Sequence, residues 1–318
     1  MRRPLTRRKL LTATGAGVAG FVVGCGGSSP PGEPALVSEN ADPTITVPPP
    51  PTATPTSTST PTPIPTPTPR PQGQETRLFM GGTPWETPVS IRSSGLDGPT
   101  LMVLGGVHGN EPGGYFAAGD IATWEPAAGV LAVLPRANKL AINQFLRLID
   151  GEGDLNRMYP GDPESETPMS RLAAEITALA NEIEADVLLD LHESWSFYID
   201  REAAGFVNRE VNGTAFLGQT ITAGVGPRAG IASQLAEAVN PTLASEREHF
   251  ITREGSPFAR NDTVGPTGTR GRSSLALGGH VPGLTPVLVE TGQEGQSVDR
   301  RIELHRMVAR ATMDLLGM

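Results

Sequence analysis

The sequence predicts an α/β fold in which a largely parallel β-sheet carries helices on both faces. Apolar runs alternate with segments of helical periodicity from residue 99 to residue 316. Residues 99–104 and 185–191 are apolar almost throughout, which is typical of strands that are buried on both sides. Ligands of such sheets bind outside the carboxyl ends of the strands, so the polar residues that follow these runs are the first candidates for a functional site.

The first 25 residues have the pattern of an export signal. A basic start leads into an apolar, glycine-rich stretch that is too short to span a bilayer permanently. Residues 6–11 resemble the twin-arginine motif, residues 22–25 resemble a bacterial lipobox, and Cys25 is the one cysteine of the chain. We therefore expect residues 1–25 to be a lipoprotein signal peptide, with Cys25 lipidated and the protein anchored to the outer face of the cytoplasmic membrane. A buried, unmodified cysteine and the general secretory route are the alternatives.

Residues 26–72 have the composition of an extended tether. Proline alternates with threonine and serine over much of this segment, which therefore buries little surface and favours polyproline II. The segment is either a stalk that holds a folded domain off the membrane or low-complexity filler, and both interpretations predict disorder.

The net negative charge of the chain argues against one class of partner, the nucleic acids. The formal net charge of the chain is −9 at pH 7, whereas proteins that bind nucleic acids present a basic face to the phosphates. We therefore expect no nucleic-acid partner. With only Cys25 available, the chain can form neither an intramolecular disulfide nor a cysteine-based metal site.

The folded domain is expected over residues 73–318, and its elements follow from hydrophobic periodicity. Proline is favoured in the first turn of a helix, so Pro112 marks a helix start, and the apolar positions between residues 172 and 183 repeat at helical spacing. Strands are predicted over residues 76–80, 88–92, 99–104, 129–134, 185–191 and 285–290. Helices are predicted over residues 112–118, 171–183, 231–239 and 298–316.

Polar residues at the ends of two predicted strands have the chemistry of a metal site. His108 and Glu111 follow the strand at residues 99–104, and His192 ends the strand at residues 185–191. Imidazole nitrogen and carboxylate oxygen are ligands that suit Zn²⁺, and three protein ligands leave one position open for water. The sequence therefore predicts one Zn²⁺ per chain, bound by His108, Glu111 and His192.

Further residues could complete a hydrolytic site around that metal. Glu290 ends the last predicted strand, where a carboxylate can act as the general base that accepts a proton from water. Asn156 and Arg157 are adjacent and can hold a substrate carboxylate, with bidentate geometry from the arginine. Arg136 and Arg147 are the candidates to polarise the scissile carbonyl group.

Four motifs occur in an order that resembles a known enzyme family. They are HGNE at 108–111, DLNR at 154–157, DLH at 190–192 and ETG at 290–292. In this order they resemble the zinc carboxypeptidase superfamily, and most closely its succinylglutamate desuccinylase/aspartoacylase branch, over residues 98–318. The resemblance implies a three-layer α/β/α sandwich with a mixed, mostly parallel, eight-stranded sheet.

The resemblance also implies roles for single residues. It gives the three metal ligands and Glu290 the roles described above, and it matches Asn156 and Arg157 with the pair that grips the substrate carboxylate. Asp154 matches the acidic residue that orients the first zinc histidine. Arg147 resembles the arginine that polarises the carbonyl group. We also expect the domain to lack the additional C-terminal β domain of cytosolic aspartoacylases.

These observations predict a membrane-tethered zinc hydrolase that cleaves an amide bond, or an ester bond, in a small substrate bearing a carboxylate. A metallocarboxypeptidase for peptides or cell-wall stems would use the same residues with a different pocket, formed by residues 206–230 and 256–279. The second of these segments contains three arginines that could bind a further anionic group: Arg260, Arg270 and Arg272. A substrate-binding lipoprotein is the non-enzymatic alternative, although it would not need Glu290.

Overall fold

The computed structural model describes residues 71–194, 197, 218–254, 263–264 and 270–318. They belong to one compact unit, Ile64–Met318. The predicted signal peptide with Cys25, most of the predicted tether, and Arg260 lie outside the described residues. The first strand begins at Gly73, where the folded domain was expected to begin.

An eight-stranded mixed sheet forms the centre of this unit, in the order β1-β2-β4-β3-β5-β10-β6-β7. Its strands are β1 (Gly73–Phe79), β2 (Thr87–Ser93), β3 (Thr100–Gly105), β4 (Val130–Leu134), β5 (Val187–Ser194), β6 (Thr220–Ala223), β7 (Ile251–Arg253) and β10 (Thr285–Gly292). A separate small ribbon pairs β8 (Thr263–Val264) with β9 (Arg270–Gly271). The pairs β3–β4, β3–β5, β5–β10 and β6–β7 are parallel, and the pairs β1–β2, β2–β4 and β6–β10 are antiparallel.

Helices cover both faces of the sheet. They are α1 (Pro112–Ile121), α2 (Lys139–Gln144), α3 (Pro168–Glu182), α4 (Ile231–Val239) and α5 (Val298–Leu316), with short 3₁₀ helices at Leu155–Arg157, Asn240–Thr242, Glu246–Glu248 and Ser274–Gly279. The side chains of β3 alternate between two apolar cores, as the two-residue period of a strand requires. One core contains apolar residues of α3, and the other contains those of α1, α4 and α5. The predicted three-layer α/β/α sandwich is therefore confirmed.

The ends of two helices show why they begin and end where they do. The Ser297 hydroxyl accepts a hydrogen bond of 3.1 Å from the backbone N–H of Arg300 at the start of α5, and Gly317 ends that helix in the left-handed conformation. Helix α3 begins at Pro168, three residues before the predicted start, because proline occupies its first turn. Among the described residues, no helix has both the length and the apolar character needed to cross a membrane.

Candidate metal centre

The loop after β3 brings His108 and Glu111 to the carboxyl edge of the sheet. Gly106 follows the strand with φ of 71°, a conformation that glycine adopts without strain. Gly109 lies against α2 so closely that an added Cβ would be 2.1 Å from the carbonyl carbon of Ala141. Glu111 then immediately precedes α1, which begins at Pro112. The glycines therefore allow a tight loop that places both side chains in the interior.

Strand β5 supplies His192 from the neighbouring position in the sheet. In the parallel pairing of β5 with β10, His192 is the register partner of Glu290. Register partners of parallel strands direct their side chains to the same face. Leu191 and Val289 belong to the apolar core on the opposite face of the sheet. The two polar side chains therefore lie next to each other at the carboxyl ends of buried strands.

The three predicted ligands form one compact group. One ligand atom from each of His108, Glu111 and His192 lies within 4.8 Å of the others, and all three residues are buried. The Nδ1 atom of His108 is 2.7 Å from Oε1 of Glu111, and the Nδ1 atom of His192 is 2.9 Å from its Oε2. Both imidazoles thus direct the same nitrogen, Nδ1, toward the shared carboxylate.

The outer nitrogens of both histidines face carboxylates. The Nε2 atom of His108 is 3.2 Å from Oδ1 of Asp154 and can form a hydrogen bond with it. The Nε2 atom of His192 lies 3.1 Å from Oδ2 of Asp190, an ion-pair contact that lacks the geometry of a hydrogen bond. When a metal is bound, a carboxylate behind the outer nitrogen of a histidine ligand fixes its tautomer and ring orientation, with the inner nitrogen free of its proton. The donor set of two nitrogens and one oxygen, with a carboxylate next to the outer nitrogen of each histidine, fits a bound metal ion.

The charges within this group shift the pKa values of its members strongly. Burial alone would raise the pKa of the Glu111 carboxyl, but the charges of both histidines and their hydrogen bonds hold it well below its ordinary value. Burial would lower the pKa of His192, yet the charges of Asp190 and Glu111 raise it well above the ordinary value. For Asp154, burial is likewise outweighed, chiefly by the hydrogen bond and charge of His108, so its pKa is lowered. A cluster of strongly perturbed groups in a cleft is typical of a functional site.

Glu290 is the buried carboxylate beside this group. Its side chain is 8% exposed, and its Oε2 atom has no hydrogen-bond partner among the described residues. Burial raises the pKa of Glu290 to about 8; the negative charge of Glu111 adds to this, while His192 and Arg147 oppose it. Such a carboxylate binds a proton more readily than an exposed one, which is the property that a general base near neutral pH requires.

Asn156 and Arg157 are presented by the 3₁₀ helix Leu155–Arg157. Asp154 caps this helix, since its Oδ1 atom accepts a hydrogen bond of 3.0 Å from the backbone N–H of Asn156. Arg157 donates a hydrogen bond of 2.6 Å to the backbone oxygen of Asn156. The charge of Asp154 acts on its guanidinium, but no carboxylate of the described residues forms a close ion pair with it. Burial lowers the pKa of its guanidinium. A partly buried cation without a carboxylate partner favours an anionic ligand.

The two arginines considered for the carbonyl group occupy different surroundings. The Nη1 atom of Arg147 is 3.0 Å from Oε1 of Glu111, so its guanidinium touches the metal-ligand group. The guanidinium of Arg136 instead lies 5.2 Å from the centre of the Tyr115 ring, and its Nη2 donates a long hydrogen bond of 3.5 Å to Asn143. The structure therefore brings Arg147, and not Arg136, into contact with the candidate ligands.

Several residues that contact this centre did not emerge from sequence reasoning as site residues. Asp190 could have been identified from the sequence, because it precedes His192 by two positions on a strand and its side chain must lie on the same face of the sheet. Three other residues could not have been identified in this way, because their contacts join segments far apart in the chain: Glu193, Ser274 and Arg301. Arg272, one of the three arginines in the predicted pocket segment, donates to Nε2 of His280 over 2.7 Å.

Part of the chain is similar to a known protein family. The model of the succinylglutamate desuccinylase/aspartoacylase catalytic domain matches residues 97–196. Residues 97–196 are therefore similar to the catalytic domain of this family. The match includes the motifs at 108–111, 154–157 and 190–192, confirms the resemblance found in the sequence, and ends before Glu290.

Individual proteins are similar to parts of this chain. The N-alpha-acetyl-L-2,4-diaminobutyric acid deacetylase of Halomonas elongata is 34% identical over 110 residues, which are 33% of this chain and 31% of the deacetylase. Among solved structures, the cell shape determinant Csd4 of Helicobacter pylori aligns with a TM-score of 0.56 at 19% identity, over 69% of this chain and 51% of Csd4.

A second solved structure supports the same fold. An aspartoacylase family protein of Mesorhizobium loti aligns with a TM-score of 0.52 at 19% identity, over 77% of this chain and 67% of that protein. At this identity, the two structural likenesses establish the fold alone. This chain spans about a third of the length of the deacetylase and about half the length of Csd4.

Proposed function

We propose that this protein is a zinc-dependent hydrolase that cleaves an amide bond in a small substrate bearing a carboxylate. One observation supports it above the others. The ligand atoms of His108, Glu111 and His192 lie within 4.8 Å of one another, and each histidine has a carboxylate behind its outer nitrogen. Two nitrogens and one oxygen are a donor set typical of catalytic rather than structural zinc, because the fourth position is left to water or substrate.

The metal and the chain divide the chemistry between them. When bound at these residues, Zn²⁺ would supply Lewis-acid polarisation and lower the pKa of water to about 7. Glu290 accepts the proton released by the attacking water and returns it to the leaving nitrogen. Arg147 donates hydrogen bonds to the oxygen that becomes negative as the carbonyl carbon is attacked.

The proposed substrate class rests on Arg157 and on the relatives. Arg157 is a partly buried cation without a carboxylate partner in the described part of the chain, and Asn156 adjoins it, so a substrate carboxylate would complete their interactions. The relative from Halomonas elongata is named as a deacetylase of an N-acetylated amino acid. An N-acyl amino acid offers both an amide bond and a carboxylate, and it is our first candidate.

A metallocarboxypeptidase is the second candidate, because the C-terminal carboxylate of a peptide would satisfy Asn156 and Arg157 equally well. Csd4, which shares this fold, is a D,L-carboxypeptidase. The two candidates differ in what lies on the far side of the scissile bond, which is an acyl group in one and a peptide in the other.

The decisive experiment combines metal analysis with a substrate panel. The purified protein is expected to contain about one zinc ion per chain and to hydrolyse N-acyl amino acids, while esterified or amidated forms without the free carboxylate are poor substrates. Hydrolysis of peptides with a free C-terminus, but not of N-acyl amino acids, would select the carboxypeptidase. A protein that holds zinc and binds these compounds without cleaving any of them would contradict both enzymatic functions and support the substrate-binding lipoprotein.

We propose further that the protein is exported and anchored through Cys25. The support is the lipobox-like sequence at residues 22–25 and the twin-arginine-like sequence at residues 6–11. Labelled palmitate is expected to enter the wild-type protein and not the Cys25→Ser variant, which should appear in the soluble fraction. Equal membrane recovery of both proteins would reject lipidation at this residue.

A further inference from the structure

Ser274 connects the support of His192 with the segment that holds Asn156. It is the first residue of the 3₁₀ helix Ser274–Gly279 and is completely buried. The preceding residues are fixed against the neighbouring segment, because the backbone N–H of Arg272 donates a hydrogen bond of 3.1 Å to the oxygen of Arg157. The position of Ser274 relative to that segment is therefore set by the backbone.

The hydroxyl of Ser274 is directed at Asp190. Its Oγ atom donates a hydrogen bond of 2.6 Å to Oδ2 of Asp190. The same Oδ2 atom lies 3.1 Å from Nε2 of His192. Asp190 is completely buried, and its Oδ1 atom has no partner among the described residues. The orientation of this carboxylate behind His192 therefore depends on the serine hydroxyl.

The backbone of Ser274 acts on the other side of the site. Its N–H donates a long hydrogen bond of 3.4 Å to Oδ1 of Asn156. The amide oxygen of Asn156 is thereby directed toward the helix, so its amide N–H groups remain available to an acceptor such as a substrate carboxylate.

We propose that Ser274 is a positioning residue for the metal centre, which through Asp190 holds His192 in the orientation that presents Nδ1 to the metal. The inference rests on the proposed zinc site. It adds Ser274 to the residues that support that site: the serine orients the carboxylate of Asp190, and that carboxylate orients the ligand His192. Partners behind a histidine ligand commonly change metal affinity about 10–100-fold when they are removed.

The chain offers a closely matched control for this role. Ser273 is also buried, at 5% exposure, but its Oγ atom has no hydrogen-bond partner among the described residues. Ser273→Ala and Ser274→Ala remove the same atom from adjacent buried positions. Only the second substitution deprives Asp190 of a donor.

The test measures the affinity of the full-length protein for Zn²⁺ alone, by competition with a chromogenic chelator, so that no substrate is required. We expect Ser274→Ala to weaken Zn²⁺ binding about 10-fold or more and Ser273→Ala to leave it within about 2-fold of the wild type. The visible spectrum of the Co²⁺-loaded protein should change in Ser274→Ala and not in Ser273→Ala. Equal Zn²⁺ affinities in the two variants would overturn the proposal, whereas a wild-type protein without Zn²⁺ affinity would reject the proposed function itself.

One further variant shows whether Ser274 acts on Zn²⁺ affinity through Asp190. A second replaces Ser274→Ala if that variant does not fold. In an Asp190→Asn background, the additional loss of Zn²⁺ affinity caused by Ser274→Ala should shrink, because the two residues act in series. If both losses are fully additive, the route through Asp190 is wrong. Should Ser274→Ala fail to fold, Ser274→Cys retains a weak donor and is expected to bind Zn²⁺ with intermediate affinity; wild-type affinity in that variant would count against the proposal.

Discussion

At the scale of single residues, the centre is a set of carboxylates whose different surroundings give them different tasks. Glu111 lies between two imidazoles, whose charges and hydrogen bonds outweigh the effect of burial and hold its pKa low. Glu290 is similarly buried but lacks such close partners, so its pKa rises to about 8. One carboxylate is thereby suited to bind a cation and the other to exchange a proton.

This division of tasks predicts the effect of Glu290→Gln. The substitution keeps the shape of the side chain but removes its ability to accept a proton, so hydrolysis should fall about 10²–10⁴-fold while Zn²⁺ content stays unchanged. Steady-state rates on the best substrate of the panel and metal analysis of the same preparation measure both quantities. Glu294→Gln, at an exposed position in the following turn, is the control and should keep full activity. Wild-type rates in Glu290→Gln would exclude this residue as the base.

His305 makes a second prediction at this scale, for stability and not for activity. The imidazole is completely buried in α5, and its Nε2 atom lies 3.2 Å from Oγ1 of Thr291. Burial lowers the pKa of His305 to about 3, from an ordinary value near 6.5. Between these values the unfolded chain binds a proton that the folded chain does not. The contribution of His305 to stability is therefore complete above pH 6.5 and is lost as the pH falls, by up to about 1.4 kcal/mol per pH unit.

Urea denaturation of the metal-free protein between pH 7.5 and pH 5.5 would measure this contribution. The free energy of unfolding of His305→Gln should fall less steeply with decreasing pH than that of the wild type, because the glutamine does not titrate. His280→Gln is the comparison: the pKa of this exposed histidine is also lowered, by burial and by the charge of Arg272, but by less than that of His305, so this variant should change the slope less than His305→Gln does. Parallel curves for wild type and His305→Gln would show that the buried imidazole is not held neutral.

At the scale of elements, the metal centre is held by ties between segments that are distant in the chain. Glu193, in β5, accepts a hydrogen bond of 2.6 Å from the backbone N–H of Gly113 in α1, and it forms a buried ion pair with Arg301 of α5. Its own backbone N–H donates a hydrogen bond of 3.1 Å to Oε2 of Glu111. Movement of α5 relative to β5 would therefore displace a predicted metal ligand.

Loss of the ion pair between Glu193 and Arg301 should strongly lower the free energy of unfolding. Arg301→Met leaves Glu193 buried without its cation, and we expect a loss of about 3–5 kcal/mol in the free energy of unfolding. Arg306→Met is the matched control on the same helix, because Arg306 pairs with Asp120 over 3.5 Å where both side chains are about half exposed. That pair should contribute about 0–1 kcal/mol. Urea denaturation measures both variants, and similar losses would show that burial of the Arg301 pair has no special effect.

The elements also show how far the sequence alone could lead. Strands β3, β5 and β10 were predictable because their apolar runs are continuous, and the residues at their ends then indicated the site. Strands β6 and β7 were missed because they are short, and threonine occupies half of β6 without forming an apolar run. The contact of Ser274 with Asp190 was not predictable, since 84 residues separate them and only the folded sheet brings them together.

At the scale of the whole molecule, the metal site joins segments that are distant in the sequence. His108 follows β3, Glu111 precedes α1, and His192 belongs to β5, so the three ligands come together only when the central strands have paired. An ion that binds this arrangement, and not the unfolded chain, must stabilise the entire fold by mass action.

Zinc should therefore raise the melting temperature of the metal-free protein. At a free Zn²⁺ concentration 100 times its dissociation constant, the expected gain is about 2.7 kcal/mol. For a domain of this size, that gain corresponds to roughly 5–11 °C, and it should be reversed by a chelator. Differential scanning calorimetry measures the shift. His192→Ala should lose it, whereas His280→Ala should retain it, since His280 is exposed and outside the ligand group. An equal shift in both variants would mean that zinc stabilises the protein from another place, and the assignment of His192 as a ligand would then be wrong.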